Sequence, residues 1–491
     1  MNFKRFLAVC CAAVLLATLP SCGFIVVNDL SGRSAGSEGT DNADGAAVTE
    51  VSSTGYVKMP GRADAKAKAE SYLASLPERD YEGVVFFIAT PDRGYIAPED
   101  TESVVSRLAV QRNAEVEERL NVTLLADVHD GAGMVEELNQ AIASGTFFAD
   151  LLLVPFYRVG SFKATSTLLN MRTAPFFDLD QPYFDRESSE ASSGGYATYA
   201  VGGDATLSPS VFSGVYFNRK ILEDAGVDTR ALYRSVPAGS WTWDRLLSVT
   251  EAVASREDCM TITADSLAER FPDLVFKSMG NNFVQTGLRK VPVVGYTAHK
   301  AEDTMNVLER LYGQEKAGLE DLEDAVTAFA EGKSAFHVEY LYAMSWLTNA
   351  KTDWGLLPLP KASEGDGAYR TLVANDAQVF CIPKNHTNAE IPAVVLSALC
   401  AASDGYIYDA YVDYHMMNVV RDNDTVNMLD LILDSACFDF AVAFGNAFPS
   451  IADATYRLVR KCAPTNNLSD EYSALRTEAN AVMKQNFDLT Y

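Results

Sequence analysis

Apolar runs and helical stripes alternate along the chain from residue 83 onward. Residues 83–90 and 149–155 are almost continuously apolar, and 122–128 is a third strand-like run. Such runs are typical of parallel strands that are covered on both faces. The segments between them, 101–120 and 134–142, carry apolar residues at helical spacing. The order strand, helix, strand, helix, strand predicts a parallel α/β sheet.

A second α/β unit is predicted further along, after a segment at 183–213 that is rich in Ser, Gly and Tyr. Glycines in that segment permit the large backbone rotations that a hinge needs. Two units agree with a length of 491 residues, which exceeds one ordinary core. The second half is predicted to contain strands at 334–338 and 354–360 and helices at 243–254, 302–312, 321–331, 389–403, 405–417, 425–434 and 470–485.

The N-terminus has the pattern of an export signal. Lys4 and Arg5 precede an apolar run at 6–19, which is too short to cross a membrane and has the length of a secretory h-region. The sequence LPSC at 19–22 is similar to a bacterial lipobox, with cleavage before Cys22 and a lipid such as palmitate on its thiol. An ordinary signal peptide with an incidental cysteine is the alternative, and either one exports the protein.

Residues 22–80 are predicted to be a lipid-anchored flexible tether. Residues 28–55 are rich in Gly, Ser, Ala, Asp and Thr and nearly free of aromatics, so they bury no core. A weakly helical segment at 63–76 precedes the folded body. The net charge of −26, from 66 acidic and 40 basic residues, disfavours binding to nucleic acid, to anionic membranes or to polyanions.

The sequence contains no recognisable catalytic or metal-binding motif. Its five histidines form no HExxH, and a GxSxG elbow, a P-loop and the cysteine spacings of zinc sites are missing. His337 and Glu339 would face the same side of a strand, but no third metal ligand accompanies them. We therefore predict a protein that is not an enzyme and uses no metal or cofactor. The alternative is a glycosidase-like acid/base pair, with which the abundant carboxylates are compatible.

Two segments of the second half carry a family resemblance. VYFNRKILEDAGV at 215–227 is followed by GSWTWD at 239–244, and residues 332–360 combine a strand, a short helix and the strand WGLLPLP. These segments resemble "YFNKxxxExAGxxxP…TWdel" and "GkxAm…fGvxPlP" of the family 1 extracellular solute-binding proteins, the group that includes maltose-binding protein. Trp241 and Trp243 are expected to be structural.

The resemblance implies a two-lobed, periplasmic-binding-protein-like α/β fold. Each lobe would be a mostly parallel sheet flanked by helices, and the chain would cross the hinge several times. The implied first lobe comprises residues 81–200 and 372–422, and the second comprises 201–371 and 423–491.

A sugar-binding cleft needs aromatic faces and fixed polar groups, on loops at the carboxyl ends of strands. Asp92 and Arg93 follow the first predicted strand, and Tyr157 and Arg158 follow the third. The first pair resembles a GDKGY loop of the family, with an exposed polar turn as the alternative. The second pair stands where the family often has an acid and a base, with Tyr157 in place of the acid.

The aromatic platform of the cleft is predicted just after the strand at 334–338. Glu339, Tyr340 and Tyr342 open a helix there, and Trp346 lies one turn beyond Tyr342. Tyr342 is the first candidate for stacking on a sugar ring, and core packing is the alternative. Further candidates are Asp204, which is equally suited to cap a turn, Phe283 after a glycine-containing loop, and Asn375 and Asp376 at the second crossing.

Together these features predict the substrate-binding lipoprotein of an ABC importer. It would be an extracytoplasmic, membrane-anchored monomer that captures a carbohydrate, an oligosaccharide, between closing lobes and delivers it to the permease. The alternatives are a solute sensor for a receptor kinase, a surface polysaccharide-processing lipoprotein and a surface scaffold without transport. Relatives that take other solutes leave the ligand class open.

Overall fold

The computed structural model describes residues 62–99, 101–206, 209–264, 269–319, 324–404, 422–463 and 468–488, together with 407 and 410. The strands, β1 to β16, span Val84–Thr90, Val122–Val128, Leu151–Pro155, Phe184–Asp185, Ser193–Gly194, Ala197–Thr198, Gly202–Gly203, Ser213–Asn218, Met260–Ala264, Val284–Thr286, Pro292–Val294, Ser334–Tyr340, Trp354–Leu357, Thr371–Leu372, Gln378–Cys381 and Ala436–Cys437.

The α-helices of the described residues are labelled α1 to α18. They span Arg62–Ser75, Val104–Leu120, Met134–Ser144, Val159–Ala164, Arg186–Ala191, Arg219–Asp224, Thr229–Ser235, Trp243–Ala254, Phe271–Ser278, Ala298–Tyr312, Ala325–Ala330, Ala343–Trp346, Glu390–Ala401, Asn423–Asp434, Phe440–Phe444, Pro449–Asp453, Tyr456–Cys462 and Ser469–Phe487. Short 3-10 turns lie at Arg93–Tyr95, Phe156–Arg158, Met171–Thr173, Pro209–Val211, Leu288–Lys290 and Leu347–Asn349.

The first lobe is built on a four-stranded sheet with the strand order β15-β3-β1-β2. Strand β1 pairs in parallel with β2 and β3, as the alternating pattern predicts. Strand β15 comes from far along the chain and pairs antiparallel with β3. Phe86 and Ile88 of β1 are buried in one core cluster with α13, while Ala89 is buried in the cluster that holds the opposite face. The chain therefore returns to the first sheet after passing through the second lobe.

The second lobe is built on a sheet with the strand order β13-β8-β12-β9. Its β9–β12 pair is parallel, whereas β8 pairs antiparallel with both β12 and β13. The prediction of a two-lobed α/β fold is thus confirmed, with a second sheet that is mixed in strand direction. All seven residues of β12 are buried, which places this strand in the centre of the lobe.

Capping side chains fix the ends of the helices in the family-like segment 215–244. The Asn218 side chain ends β8 and accepts a hydrogen bond from the Ile221 N–H at 3.1 Å, which starts α6. The Thr242 hydroxyl accepts from the Arg245 N–H at 3.3 Å and starts α8. Trp241 and Trp243 are fully buried, and their ring N–H groups donate within the second lobe to Pro358 O at 2.8 Å and Ser278 Oγ at 3.0 Å. Both tryptophans are structural, as expected.

The helical segment predicted at 63–76, within the tether at 22–80, is confirmed over residues 62–75. They form helix α1, which packs against α13 of the first lobe. Ala69 is buried, the Tyr72 ring meets the Tyr183 ring edge-on at 5.7 Å, and the Lys68 ammonium lies 2.8 Å from the Asp404 carboxylate. Apolar contacts and an ion pair therefore dock this helix, and the folded body begins with it.

Several predicted features lie outside the described residues. These are the signal sequence, Cys22, the tether up to residue 61, most of the helix at 405–417 and part of the helix at 321–331. Within the described part of the chain, no helix combines the length and apolarity needed to cross a membrane. The five cysteines of that part are all buried and form no disulfide.

Candidate functional site

A cavity of about 760 Å³ lies between the two lobes, where the carboxyl ends of β3 and β12 approach the second crossing of the hinge. A volume of this size suits a small oligosaccharide or another solute of similar bulk. It is lined by Tyr157, Glu269, Arg270, Pro272, Tyr312, Leu319, Asn375, Val442, Asn446, Tyr456, Arg457, Arg460 and Lys461.

The first lobe contributes Tyr157 to this cavity. Strand β3 ends at Pro155, and Tyr157 lies in the 3-10 turn that follows it and lines the cavity. The Tyr157 N–H donates to the Asn375 carbonyl at 3.0 Å, which joins the strand end to the second crossing. The Arg158 guanidinium lies 5.2 Å from the centre of the Tyr157 ring, a cation–π contact. Both predicted residues are therefore held together at the cleft, and Tyr157 lines it.

The second lobe contributes Arg270, which the sequence did not indicate. Arg270 precedes α9 and is only 8% exposed. Its Nη1 donates to the Tyr340 hydroxyl at 2.6 Å, and its Nη2 donates to the Val373 carbonyl at 3.4 Å. Burial raises the pKa of Tyr340, and the neighbouring Arg270 opposes this rise. The guanidinium thus links the end of β12 to the hinge from inside the cavity wall.

Tyr312 and Tyr456 are two further half-buried rings that line the cavity and that the sequence did not single out. Tyr312 ends α10, and Tyr456 begins α17. The Arg460 guanidinium lies 4.9 Å from the centre of the Tyr456 ring and makes three hydrogen bonds of 3.1, 3.1 and 2.5 Å with the buried Asp273 carboxylate. This wall of the cavity therefore combines tyrosine rings with a cation that a buried carboxylate holds in place.

The predicted aromatic platform forms a row of rings beside the cavity. Tyr340 and Tyr342 lie with their ring centres 5.9 Å apart, and Tyr342 meets Trp346 edge-on at 5.0 Å. Exposure rises along the row, from 9% at Tyr340 to 55% at Trp346. Tyr340 contacts the cavity wall through Arg270, while Tyr342 and Trp346 extend the row away from the lining residues.

Residues of the second crossing are exposed beside the same cavity. Asn375 and Asp376 are both exposed, and Asn375 lines the cavity. The backbone carbonyl of Asp376 accepts a hydrogen bond from the Gln378 side-chain amide at 2.7 Å. The Asp376 carboxylate takes no part in this bond. The negative charge of Asp376 acts on the Tyr340 hydroxyl. These two candidates are therefore grouped with Tyr340 at the hinge.

Asp92 and Arg93 lie at the carboxyl end of β1 and are exposed. Their side chains make local contacts. The Asp92 carboxylate accepts from the Gly94 N–H at 2.8 Å, and Arg93 pairs with Glu99 at 2.6 Å. They share the carboxyl edge of the first sheet with Tyr157 but are absent from the lining of the cavity.

The structure places three other predicted residues away from the cavity. Phe283 is fully buried and stacks on Phe276 at 4.5 Å, so its ring belongs to the core of the second lobe. Glu339 is fully buried in β12, and its Oε1 accepts from the Tyr340 N–H at 2.7 Å. Asp204 acts electrostatically on Lys68 of α1 and Cys400 of α13, which places it on the helical face of the first lobe. These three residues do not line the candidate site.

A larger cavity of about 930 Å³ lies on the second lobe and takes Glu187 alone from the first. Its two aromatic lining residues, Trp243 and Tyr369, are 0% and 8% exposed, so neither offers a ring face to a ligand. The smaller cavity joins both lobes and has half-buried rings, so it is the better candidate for a binding site. Over the ranges that the structure describes, no group of three or more His, Cys, Asp or Glu side chains is arranged to hold a metal ion.

Comparison with known proteins identifies the fold. No protein-family model and no curated protein matches the chain by sequence. Among solved structures, the chain is similar to a cyclic alpha-maltosyl-1,6-maltose binding protein from Arthrobacter globiformis, with a TM-score of 0.58, 13% identity, and coverage of 82% of this chain and 100% of that one.

Two other solved structures show the same likeness at 13% identity. The galacto-N-biose-/lacto-N-biose I-binding protein of an ABC transporter from Bifidobacterium longum has a TM-score of 0.55, with 84% of this chain and 99% of that chain covered. The GacH receptor of Streptomyces glaucescens, which was solved with acarbose, has a TM-score of 0.50, with 83% and 100% covered. The chain therefore has the two-lobed α/β fold of these binding proteins.

Proposed function

We propose that the protein is the substrate-binding lipoprotein of an ABC importer and captures an oligosaccharide between its two lobes. The observation that carries this proposal is the cavity between the lobes, which combines three half-buried tyrosines with fixed polar side chains. Tyrosine rings pack against the C–H faces of sugars, and amide and guanidinium groups bind the hydroxyls around the rim. Two of the structurally similar proteins are named for sugar binding and the third was solved with acarbose, which supports the same ligand class.

Binding in this proposal uses closure of the hinge. The first moving body would comprise the predicted residues 81–200 and 372–422 together with α1 and the segment around Asp204, which lie on the first lobe. The second body would comprise the rest of 201–371 and 423–491. Tyr157 belongs to the first body and Arg270, Tyr312 and Tyr456 to the second. A ligand that contacts both sets favours the closed form over the open one, because only the closed form makes all contacts at once.

Export and anchoring complete the proposal. Cleavage before Cys22 and acylation of its thiol would hold the protein at the outer face of the cell membrane as a monomer. The segment at 23–61 would then act as the tether, since α1 is docked on the first lobe. The closed, loaded protein would dock on the permease and release the sugar there.

A thermal-shift screen of the full-length chain in mild detergent tests the binding role. The panel contains monosaccharides, oligosaccharides, amino acids and polyamines. A ligand at 100 times its dissociation constant adds about 2.7 kcal/mol to the free energy of unfolding, which raises the melting temperature by several degrees. We expect the shift with one class of oligosaccharide. A chain that responds to amino acids or polyamines and to no carbohydrate contradicts the proposal.

A further inference from the structure

The residues that line the cavity between the lobes have a charge opposite to that of the whole chain. The chain carries 66 acidic and 40 basic residues. The described lining, in contrast, contains Arg270, Arg457, Arg460 and Lys461 against the single acid Glu269. The side chains that face the cavity are therefore mainly positive, although the chain as a whole is acidic.

Three of the four cations have carboxylate partners of their own. Arg457 pairs with Asp453 at 2.9 Å, and Lys461 pairs with Glu471 at 2.7 Å, both at exposed positions. Arg460 is held by the buried Asp273 and by the exposed Glu269 at 2.8 Å. The exposed pairs of Arg457 and Lys461 are weak and screened by salt, and the charge of Arg460 is already balanced by Asp273 and Glu269. None of these three cations therefore defines a ligand.

Arg270 differs because it is buried and its hydrogen bonds go to neutral acceptors. The described bonds of its guanidinium end on the Tyr340 hydroxyl and the Val373 carbonyl. Its closest described carboxylate oxygen, on Asp273, lies 3.9 Å from Nε, and the same carboxylate is bound more closely by Arg460. One buried carboxylate thus faces two guanidiniums, Arg270 and Arg460. Asp376, which is exposed on the second crossing, acts on the same Tyr340 hydroxyl from the solvent side.

Among the described residues, Arg270 shares its one nearby carboxylate, Asp273, with Arg460, which binds it more closely. This arrangement favours a ligand that supplies a further negative charge, because burial of a cation without a full counter-charge is costly. The guanidinium has five N–H groups in a planar fork, and the two described bonds leave the others for a ligand. A carboxylate matches that fork with two parallel hydrogen bonds, whereas a hydroxyl accepts only one. The described lining contains one such guanidinium, so we expect the site to bind one carboxylate of the ligand rather than a dense polyanion.

We propose that the ligand is an acidic oligosaccharide in which the carboxylate of one uronic acid residue pairs with Arg270. This inference rests on the proposed function, because it names the sugar class that the cavity selects. Three tyrosines then pack against the sugar rings: Tyr157, Tyr312 and Tyr456. Arg270 fixes the position in the cavity at which the uronic acid binds. The net charge of −26 repels long polyanions. A short oligosaccharide with one carboxylate is repelled much less and remains suitable as a ligand.

Isothermal titration of the full-length chain with matched sugars tests this. The probes are an aldotriuronic acid, a trisaccharide with a single uronic acid, its methyl ester, which is neutral and nearly the same shape, and maltotriose as a neutral reference. We expect the free acid to bind at least about 30-fold more tightly than the ester, the smallest effect that loss of one member of a buried charged pair usually has. This comparison uses the unaltered protein, so it does not depend on a variant that folds.

Two variants locate the effect. Arg270→Gln is expected to remove the preference for the acid over the ester, while Lys220→Gln, at an exposed cation outside the lining, is expected to keep it. Equal affinity for acid and ester, or tighter binding of maltotriose than of the acid, overturns the inference and leaves carbohydrate capture standing. Absence of binding by any of a wide panel of neutral and acidic oligosaccharides overturns the proposed function itself.

Discussion

Gly160 of α4 and Ala443 of α15 touch so closely that a Cβ on Gly160 would stand 2.7 Å from the Ala443 carbonyl oxygen. The same Cβ would lie 2.8 Å from the Cα of Phe444. Both of these neighbours are backbone atoms, which cannot move aside as a side chain can. Glycine at position 160 is therefore what lets helix α4, beside the cleft residue Tyr157, pack directly on α15.

The first prediction is that Gly160→Ala destabilises the protein by about 1–3 kcal/mol, the usual effect of overpacking a tight contact. The measurement is the free energy of unfolding from urea denaturation. Gly365→Ala is the matched control, because a Cβ there meets nothing within 4 Å. If the two variants are equally stable, α4 and α15 are not held in close contact in solution.

The second prediction concerns Phe283, which the structure places in the core rather than at the ligand. Its ring is fully buried and parallel to that of Phe276, with 5° between the planes. Phe283→Ala should lower the free energy of unfolding by roughly 3–5 kcal/mol, because a cavity replaces the ring. Leu288→Ala, at a side chain that is 92% exposed, should change it by less than about 0.5 kcal/mol. If Phe283→Ala keeps full stability but binds sugar more weakly, Phe283 contacts the ligand and the core assignment is wrong.

Elements with ends set by neighbouring residues are predicted well from the sequence. The helix at 243–254 and the strand at 122–128 have the same bounds in the structure. The Thr242 hydroxyl caps the helix, and Asn121, with φ of 48°, separates α2 from the strand. In each case the signal lies within a few residues of the boundary, so local sequence is sufficient.

Strand β12 shows why the candidate site is harder to predict. The sequence ends this strand at residue 338, whereas the structure extends it to Tyr340. Glu339 and Tyr340 stay in the strand because they pair with Gly214 and Ser213 of β8. That pairing depends on how two distant segments meet, and it buries Glu339 instead of presenting it to a ligand.

Arg270 and Arg460 belong to the candidate site, but the local sequence does not predict this. Each lies in a segment of ordinary composition, and nothing nearby distinguishes it from a solvated charge. They become a site only because the buried Asp273 lies beside both of them and Tyr340 lies against Arg270. Aromatic residues and strand ends point to the cleft, but the charge of its wall requires the fold.

The third prediction concerns the ion pair between Lys277 and Asp439, which are both 1% exposed and lie 2.7 Å apart. Lys277→Met should lower the free energy of unfolding by about 3–5 kcal/mol, because it leaves the Asp439 carboxylate buried without its counter-charge. Lys220→Met removes an exposed cation that pairs with Asp224 four residues on, and it should cost less than about 0.5 kcal/mol. Urea denaturation of both variants checks this. Similar losses in the two would mean that Lys277 is solvated.

The fourth prediction tests the row of rings beside the cavity and rests on the proposed function. Tyr342→Ala should weaken oligosaccharide binding by about tenfold, which corresponds to about 1.4 kcal/mol, if its ring face stacks on a sugar. Tyr342→Phe keeps the ring and should bind nearly as the unaltered protein does. Titration calorimetry measures both. An unchanged affinity in Tyr342→Ala would assign this ring to packing between Tyr340 and Trp346.

The last prediction is a dependence of stability on pH that originates at His337. This side chain is fully buried in β12, its Nδ1 lies 3.0 Å from the Thr263 hydroxyl, and burial lowers its pKa from 6.5 to about 4. Above pH 6.5 the imidazole is neutral in the folded and unfolded chains. Between pH 6.5 and 4 the unfolded chain binds a proton that the folded chain excludes, so the free energy of unfolding falls as the pH falls. At about 1.4 kcal/mol per pKa unit, the loss approaches roughly 3 kcal/mol near pH 4. Urea denaturation at several pH values should show this slope, and His337→Gln, which cannot titrate, should lose that part of it. An unchanged slope in the variant would mean that other groups account for the acid sensitivity.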